Sequence, residues 1–183
     1  GVIADPSQVV IGAGTQQLTT HLCHILRHMD IGFVCAEDPG YAPIQKIFHD
    51  NGFGINKIPV SSDGIRIDML PANIASAVYV SPANQFPTGS VMSIASRYKL
   101  LTWANQNNSI ILEDDYDSEL RYFGKPIPAL QGLDNNHRVV YFGSFSSTLF
   151  PAIKVSYMIL PPNMAKIFAS IKANYTQTCS KTE

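Results

Sequence analysis

Short β-branched runs that alternate with helical segments constrain the fold of this chain most strongly. We predict strands at 8–11, 32–36, 54–60, 76–80, 109–113, 138–142 and 155–160. In the fifth run, Ile110, Ile111 and Leu112 are apolar throughout, as expected for a strand that is covered on both faces. The alternation predicts a three-layer α/β/α domain that is doubly wound around a mostly parallel seven-stranded sheet.

Apolar residues at helical spacing predict the elements between these strands. In the first helix, predicted at 15–29, Leu18, Leu22 and Ile25 form one apolar stripe. The other helices are predicted at 42–50, 94–105 and 163–175. The 183 residues are enough for a sizeable core, and we expect 1–183 to form a single domain.

Composition narrows the possible partners. Charged residues make up only 15% of the chain, which suggests that a partner covers part of the surface. A net charge of −1 and the lack of a long basic run argue against nucleic-acid binding by this segment itself. No apolar run reaches the roughly 18–20 residues that a membrane span needs. Three cysteines without C-x-x-C spacing, and no signal peptide, fit a reducing cytoplasm.

The loops after the strands are the candidate sites, because ligands bind at the carboxyl ends of strands in a doubly wound sheet. After the first strand, Gly14, Thr15 and Gln16 open a helix whose N-terminus can hold a phosphate. A tight turn alone would explain the same glycine. After the second strand, Tyr41 can stack on a flat ring, or it can belong to a surface turn.

Acidic residues crowd the end of the fifth strand. The run E-D-D-Y-D at 113–117 has four acids in five positions, which would repel one another without a nearby cation. Asp114 can hold a protonated ring nitrogen, and Tyr116 can reach a phenolic oxygen beside it. A carboxylate site of the magnesium type is the alternative. The other loops fit a phosphate-bearing ring better.

A serine-rich turn follows the sixth strand. Ser144 and Ser146 can bind a phosphate there, with Lys154 a turn later; a plain loop is the alternative.

Together these loops resemble the large domain of fold-type-I aminotransferases, which use pyridoxal phosphate (PLP). Within that class they are similar to the aminotransferase-like half of MocR-type regulators of the GntR family. The resemblance covers nearly the whole chain. It rests on G-A-G-T-Q-Q at 12–17, E-D-P-G-Y at 37–41, N-Q-F-P-T-G at 84–89, E-D-D-Y-D-S-E-L-R-Y at 113–122, P-I-P-A-L-Q-G-L-D at 126–134 and S-Y-M-I-L-P-P at 156–162.

The resemblance implies a role for each matching residue. It implies that Tyr41 stacks on the ring, that Asp114 pairs with the ring nitrogen, and that Tyr116 binds the phenolic oxygen. Asn84 or Gln85 would donate a hydrogen bond to the same oxygen. The implied phosphate ligands are Gly14, Thr15, Gln16, Ser144 and Ser146.

Two positions depart from the family pattern. The resemblance places the Schiff-base lysine at position 147, where this chain has Ser147, and a serine hydroxyl cannot form that bond. Lys154 replaces an arginine that would grip the phosphate with two prongs. We therefore expect PLP to bind without a covalent bond, and transamination to be lost.

The resemblance also implies what surrounds this domain. We expect the chain to be a fragment of a cytoplasmic regulator that lacks an N-terminal winged helix-turn-helix and a C-terminal small domain. DNA would be bound only through the missing part, while this part senses PLP or an amino-acid-like effector as a homodimer. Two alternatives remain: a fragment of a genuine aminotransferase whose lysine has been mutated, and a degenerate domain that keeps only a dimerisation role.

Overall fold

A mixed sheet forms the centre of the computed structural model, which describes residues 2–116, 127–145 and 155–172. Within those residues the sheet has eight strands in the order β1-β8-β7-β6-β5-β2-β3-β4. The strands are β1 (Val9–Gly12), β2 (Phe33–Asp38), β3 (Gly54–Ser61), β4 (Gly64–Ile65), β5 (Ala77–Val80), β6 (Ile110–Asp115), β7 (Val139–Ser144) and β8 (Ser156–Ile159). Strands β7, β6, β5, β2 and β3 pair in parallel, so the predicted mostly parallel sheet is confirmed.

Helices cover both faces of this sheet. They are α1 (Thr15–His28), α2 (Ala42–Asp50), α3 (Ile94–Gln106), α4 (Leu130–Leu133) and α5 (Pro162–Ile171). The predicted stripe of α1 is fully buried and packs with residues of α2, α5 and the sheet in one core cluster. A second cluster joins the other face of the sheet to α3 and to Leu130 of α4. The three-layer α/β/α architecture follows from these two cores.

The strand count differs from the prediction by one. The sheet has eight strands where seven were predicted, because β4 forms a short hairpin with β3. Its two residues, Gly64 and Ile65, are too few to show a strand pattern in the sequence, and the dipeptide Asp63-Gly64 is typical of a turn. Helix α4 was missed for the same reason, because four residues show no periodicity.

Strand β8 lies antiparallel between β1 and β7 and aligns their ends. Gly12 pairs with Ser156, and Ser156 pairs with Ser144. The ends of β1 and β7 therefore lie at the same edge of the sheet, although about 130 residues separate them in sequence. A Cβ atom at Gly143 would run into the ring of Tyr157, so the tyrosine crosses β7 where only glycine leaves room.

Candidate functional site

The predicted site residues gather at the carboxyl edge of the sheet. Asp114 lies near the end of β6 and Ser144 ends β7, while Tyr41 and Asn84 lie in the loops after β2 and β5. The alignment of Gly12 with Ser156 and Ser144 brings the start of α1 to this edge as well. Position 147, Ser146 and Lys154 lie outside the described residues.

The start of α1 leaves room beside the backbone. Gly14 precedes the helix with φ +93°, a conformation that favours glycine, and nothing lies within 4 Å of the position that its Cβ would occupy. Thr15 and Gln16 form the first turn, which carries no acidic side chain. Across the sheet edge, the Ser156 hydroxyl lies 3.2 Å from that of Ser144. This corner can accept an anion at the positive end of the helix dipole.

The acidic run on β6 is divided between the two faces of the sheet. Asp114 accepts a hydrogen bond from the hydroxyl of Tyr79 on β5, and both residues are buried. Asp115 points the other way and accepts a bond of 2.9 Å from the Tyr141 hydroxyl. Side chains alternate along a strand, so consecutive acids separate instead of clustering.

Arg97 of α3 supplies a cation to Glu113, the first acid of this run. Its guanidinium is fully buried, and its Nη1 atom lies 3.7 Å from Oε1 of Glu113. Burial raises the pKa of Glu113 to about 7, and the backbone amides of Gln131 and Leu130 and the charge of Arg97 limit this rise. A buried arginine keeps its proton, so the ionised form of Glu113 is the one that balances charge.

Arg97 also fixes the loop that carries Asn84. Its Nη2 and Nε atoms donate to the carbonyl oxygens of Pro82 and Met92 at 2.8 and 3.1 Å. Nη1 donates to the Pro128 carbonyl at 3.1 Å. One side chain therefore ties both ends of the 82–92 loop to the segment before α4.

The side chains of Tyr116 and Gln85 make hydrogen bonds that hold the 82–92 loop in place. The Tyr116 hydroxyl donates to the backbone carbonyl of Asn84 at 2.9 Å, so the structure brings these two predicted residues together. Gln85 is buried, and its amide nitrogen donates to the carbonyls of Pro39 and Phe86 at 2.9 and 2.6 Å. Its oxygen accepts from Thr88 at 2.6 Å. The side chain of Gln85 is therefore engaged within the loops.

Tyr41 contacts the same loop from the other side. Its ring, which is 40% exposed, meets the Phe86 ring edge-on with centroids 6.3 Å apart. Tyr41 also forms the start of α2. The loops after β2 and β5 therefore form one wall of the site.

Glu37 lies beneath this wall and is 4% exposed. Its Oε2 atom accepts long hydrogen bonds of 3.3 Å from the Ser81 amide and from Gln85 Nε2. Its Oε1 atom is buried and has no hydrogen-bond partner among the residues that the structure describes. Burial raises the pKa of Glu37 to about 7; the bonds from Gln85 and Ser81 oppose the rise, and the charge of Asp114 adds to it.

Four residues of this site were not predicted in these roles: Glu37, Tyr79, Gln85 and Arg97. Two of them leave a signal in the sequence. Arg97 stands among Leu100, Leu101 and Ala104 on the buried side of α3, where a lone charge needs a buried partner. Tyr79 interrupts the apolar strand A-V-Y-V, where its hydroxyl needs an acceptor.

Among residues 2–116, 127–145 and 155–172, no group of three or more His, Cys, Asp or Glu side chains is arranged to hold a metal ion. In the same ranges, no helix is both long and apolar enough to cross a membrane. Cys23 and Cys35 are buried free thiols, and burial raises their pKa values to about 12 and about 11. Cys179 lies outside the described part of the chain.

Comparison with known proteins identifies the class. The model of the family described as aminotransferase class I and II matches residues 1–182, and the chain belongs to that family. Kynurenine aminotransferase of Pyrococcus horikoshii, solved in complex with PMP, superposes with a TM-score of 0.80 at 26% identity. The match covers 93% of this chain and 44% of that one. Family and fold together imply the use of PLP.

Several relatives within the family are transcription regulators. The HTH-type regulator YdeL of Bacillus subtilis is 46% identical over 181 residues, which are 98% of this chain and 38% of that protein. The probable rhizopine catabolism regulatory protein MocR of Rhizobium meliloti is 36% identical over 175 residues, 95% of this chain and 35% of that protein. The chain spans less than two fifths of either regulator and corresponds to an aminotransferase-like domain of MocR type.

The described residues fit the chemistry of PLP. The cofactor has an anionic phosphate, a flat ring and a ring nitrogen that can be protonated. The open backbone at Gly14 suits the phosphate, and the buried carboxylate of Asp114 suits a cationic nitrogen. The unpartnered Oε1 of Glu37 lies under the same wall.

Proposed function

We propose that this chain is the PLP-binding effector domain of a MocR/GntR-type transcription regulator. The observation that carries the proposal is the buried Asp114 carboxylate at the end of β6, oriented by Tyr79 beside the Tyr116–Asn84 contact. A carboxylate buried at that edge favours a cationic ligand, because a positive charge compensates for its desolvation. The regulators that resemble the chain favour sensing over metabolism as its role.

Each residue has a defined task in this proposal. Bound PLP supplies an aldehyde and an electron-withdrawing ring. Asp114 binds the ring nitrogen, Tyr41 stacks on the ring, and Tyr116 and Asn84 face its phenolic oxygen. Gly14, Thr15, Gln16, Ser144 and Ser146 bind the phosphate, with Lys154 adding a positive charge. A lysine holds phosphate as a point charge, without the paired donors of an arginine.

Ser147 makes this domain a binding module in our proposal. Position 147 offers a hydroxyl where the family uses an amine, so PLP binds reversibly and the domain does not transaminate. An amino-acid-like effector is then sensed through its effect on PLP binding. DNA contacts belong to a separate domain in this proposal, which the HTH-type relative YdeL supports. The whole regulator is proposed to be a cytoplasmic homodimer.

The proposal is tested by titrating the chain with PLP and following absorbance and equilibrium dialysis. We expect saturable binding of one PLP per chain, and no pyridoxyl group on the protein after borohydride reduction. Asp114→Asn should weaken binding by about 10–100-fold, since charged hydrogen bonds contribute roughly 1.5–3 kcal/mol. Asp68→Asn, which removes an exposed acid of the Arg66–Asp68 ion pair, is the matched control and should bind like the wild type.

Other outcomes identify the alternatives. A stable adduct together with turnover of amino acids would make the chain part of a genuine aminotransferase, as the Pyrococcus neighbour allows. Absence of any PLP binding by a folded chain would leave only the dimerisation role.

A further inference from the structure

Glu37 is buried where two loops of the site meet, and it belongs to none of the roles assigned above. Its backbone carbonyl accepts from Gln45 of α2 at 3.2 Å, which ties it to the helix that Tyr41 begins. Its side chain accepts from Gln85 and Ser81 of the loop that carries Asn84. The residue therefore connects both halves of the wall that would contact a ring.

Hydrogen bonding satisfies only part of this carboxyl group. Both bonds go to Oε2 and are 3.3 Å long, while Oε1 is buried without a partner in the described residues. A fully ionised carboxylate that is so weakly bonded is costly to bury. The neutral, protonated form removes most of that cost.

The surroundings of Glu37 also favour a neutral form. The ionisable groups that act on it across the sheet in the described structure are Asp114 of β6 and Tyr79 of β5. Asp114 is an acid, and the hydroxyl of Tyr79 is already donated to it. Asp38, the next residue on β2, is exposed. The negative charge of Asp114 makes it more costly to ionise Glu37 beside it.

A cation at Asp114 would change this balance. It would attract negative charge to the region and lower the cost of ionising Glu37. We propose that Glu37 is a positioning residue that holds a proton while the site is empty, and that it releases this proton to solvent when a cationic ring pairs with Asp114. Binding is thereby coupled to pH near neutrality. This inference rests on the proposed function.

Proton counting tests the coupling. The 183-residue chain is titrated with PLP by calorimetry at pH 7 in two buffers of different ionisation enthalpy, which gives the protons exchanged on binding. The wild type should release up to about half a proton more than Glu37→Gln, because a group that titrates near pH 7 is half protonated there. Relative to that variant, the affinity of the wild type should rise with pH between about 6 and 8.

Asp38→Asn is the matched control, because it removes the neighbouring exposed acid. It should exchange as many protons as the wild type. Equal proton release by the wild type and by Glu37→Gln, with PLP bound to both, would overturn the inference. If the wild type binds no PLP at any pH, the proposed function fails instead, so the two failures are distinguishable.

A second measurement needs no variant at position 37. The infrared difference spectrum of the wild type on PLP binding should show loss of a protonated-carboxyl band. If the Glu37→Gln variant does not fold, loss of this carboxyl band on PLP binding still shows that a proton is released. An unchanged band contradicts the inference.

Discussion

Tyr79 donates its hydroxyl to Asp114 across the boundary between β5 and β6. Tyr79 pairs directly with Leu112, so Asp114 is its diagonal neighbour two residues further along on the same face. Burial raises the pKa of Tyr79 well above its usual range, and the charge of Asp114 adds to this effect. The hydroxyl therefore stays a donor over the whole physiological range, and one oxygen of Asp114 is kept oriented by the sheet itself.

Removing the Tyr79 hydroxyl should leave the carboxylate of Asp114 less firmly oriented. Tyr79→Phe is expected to lower the free energy of unfolding by about 1–3 kcal/mol, because the buried carboxylate of Asp114 loses a hydrogen bond. PLP affinity should fall with it. Chemical denaturation and PLP titration measure the two effects. Tyr98→Phe makes the same change at a tyrosine that is 53% exposed and should stay within about 0.5 kcal/mol of the wild type. Equal effects from both variants would contradict the role of Tyr79.

Removing one partner of the Arg97–Glu113 pair should lower the free energy of unfolding far more than removing one partner of a surface pair. Arg97→Met leaves Glu113 buried without its cation and frees the carbonyls of the 82–92 loop, so we expect a loss of roughly 3–5 kcal/mol. Arg66→Met breaks the exposed ion pair with Asp68 and should leave the free energy of unfolding nearly unchanged, because solvent screens a pair at the surface. Urea denaturation of the two variants side by side makes the comparison. Similar losses would mean that the buried pair contributes little.

Stability should depend on pH through Glu37. Its pKa is about 7 in the folded chain against an ordinary 4.5, so the folded chain binds the extra proton between these values. The stability that this protonated carboxyl gives to the folded chain is fully present below pH 4.5 and is lost as the pH rises through 7. Glu37→Gln should therefore gain stability relative to the wild type, by on the order of 3 kcal/mol, between pH 4.5 and 8. Urea denaturation across that range measures the difference curve, and a flat difference would show that Glu37 is not protonated.

An amine at position 147 should restore covalent binding. Ser147→Lys is expected to yield a pyridoxyl adduct on borohydride reduction, which peptide mapping should locate at residue 147. Ser147→Arg places a positive charge at the same position without a primary amine and is the control, for which no adduct is expected. If the Ser147→Lys chain folds and binds PLP but no adduct maps to position 147, that position is not the family's lysine position.

Apolar side chains on the outer face of β1 and β8 offer a surface for self-association. Ile11 is 61% exposed and pairs with Tyr157, whose ring lies 5.3 Å from that of Phe145. We expect the chain to sediment as a dimer and Ile11→Lys to shift it towards monomer, because a charge cannot be buried there cheaply. Ile74→Lys, at another isoleucine that is 53% exposed, should leave the dimer intact. A monomeric wild type at high concentration would contradict the expectation.

Much of the fold could be predicted because it rests on periodicity. The run from Ile110 to Leu112 is buried as expected, and the start and end of α2 agree with the prediction. β4 could not be predicted, because its pairing depends on the loop from Ser61 to Gly64 and not on a run of its own.

The site was less predictable than the fold, because its contacts are made between distant segments. Motifs indicated Asp114, Tyr116 and Asn84, but nothing local shows that Gln85 is engaged inside the loop while Asn84 lies beside Tyr116. Glu37 and Arg97 act through partners that are 44 and 16 residues away, namely Ser81 and Glu113. Pairings of this kind are set by the register of the sheet, which a single sequence does not reveal.

The register of β8 has a practical consequence for protein engineering. Because β8 pairs with both β1 and β7 and so aligns Gly12 with Ser144, a one-residue insertion in it would turn its side chains to the opposite face and separate the two sides of the proposed anion site. Anyone grafting this site onto another scaffold would have to move β1, β8 and β7 as one cassette. Transferring only the segment around Gly14, or only the end of β7 with Ser144, would carry proposed phosphate-binding residues without the spacing between them.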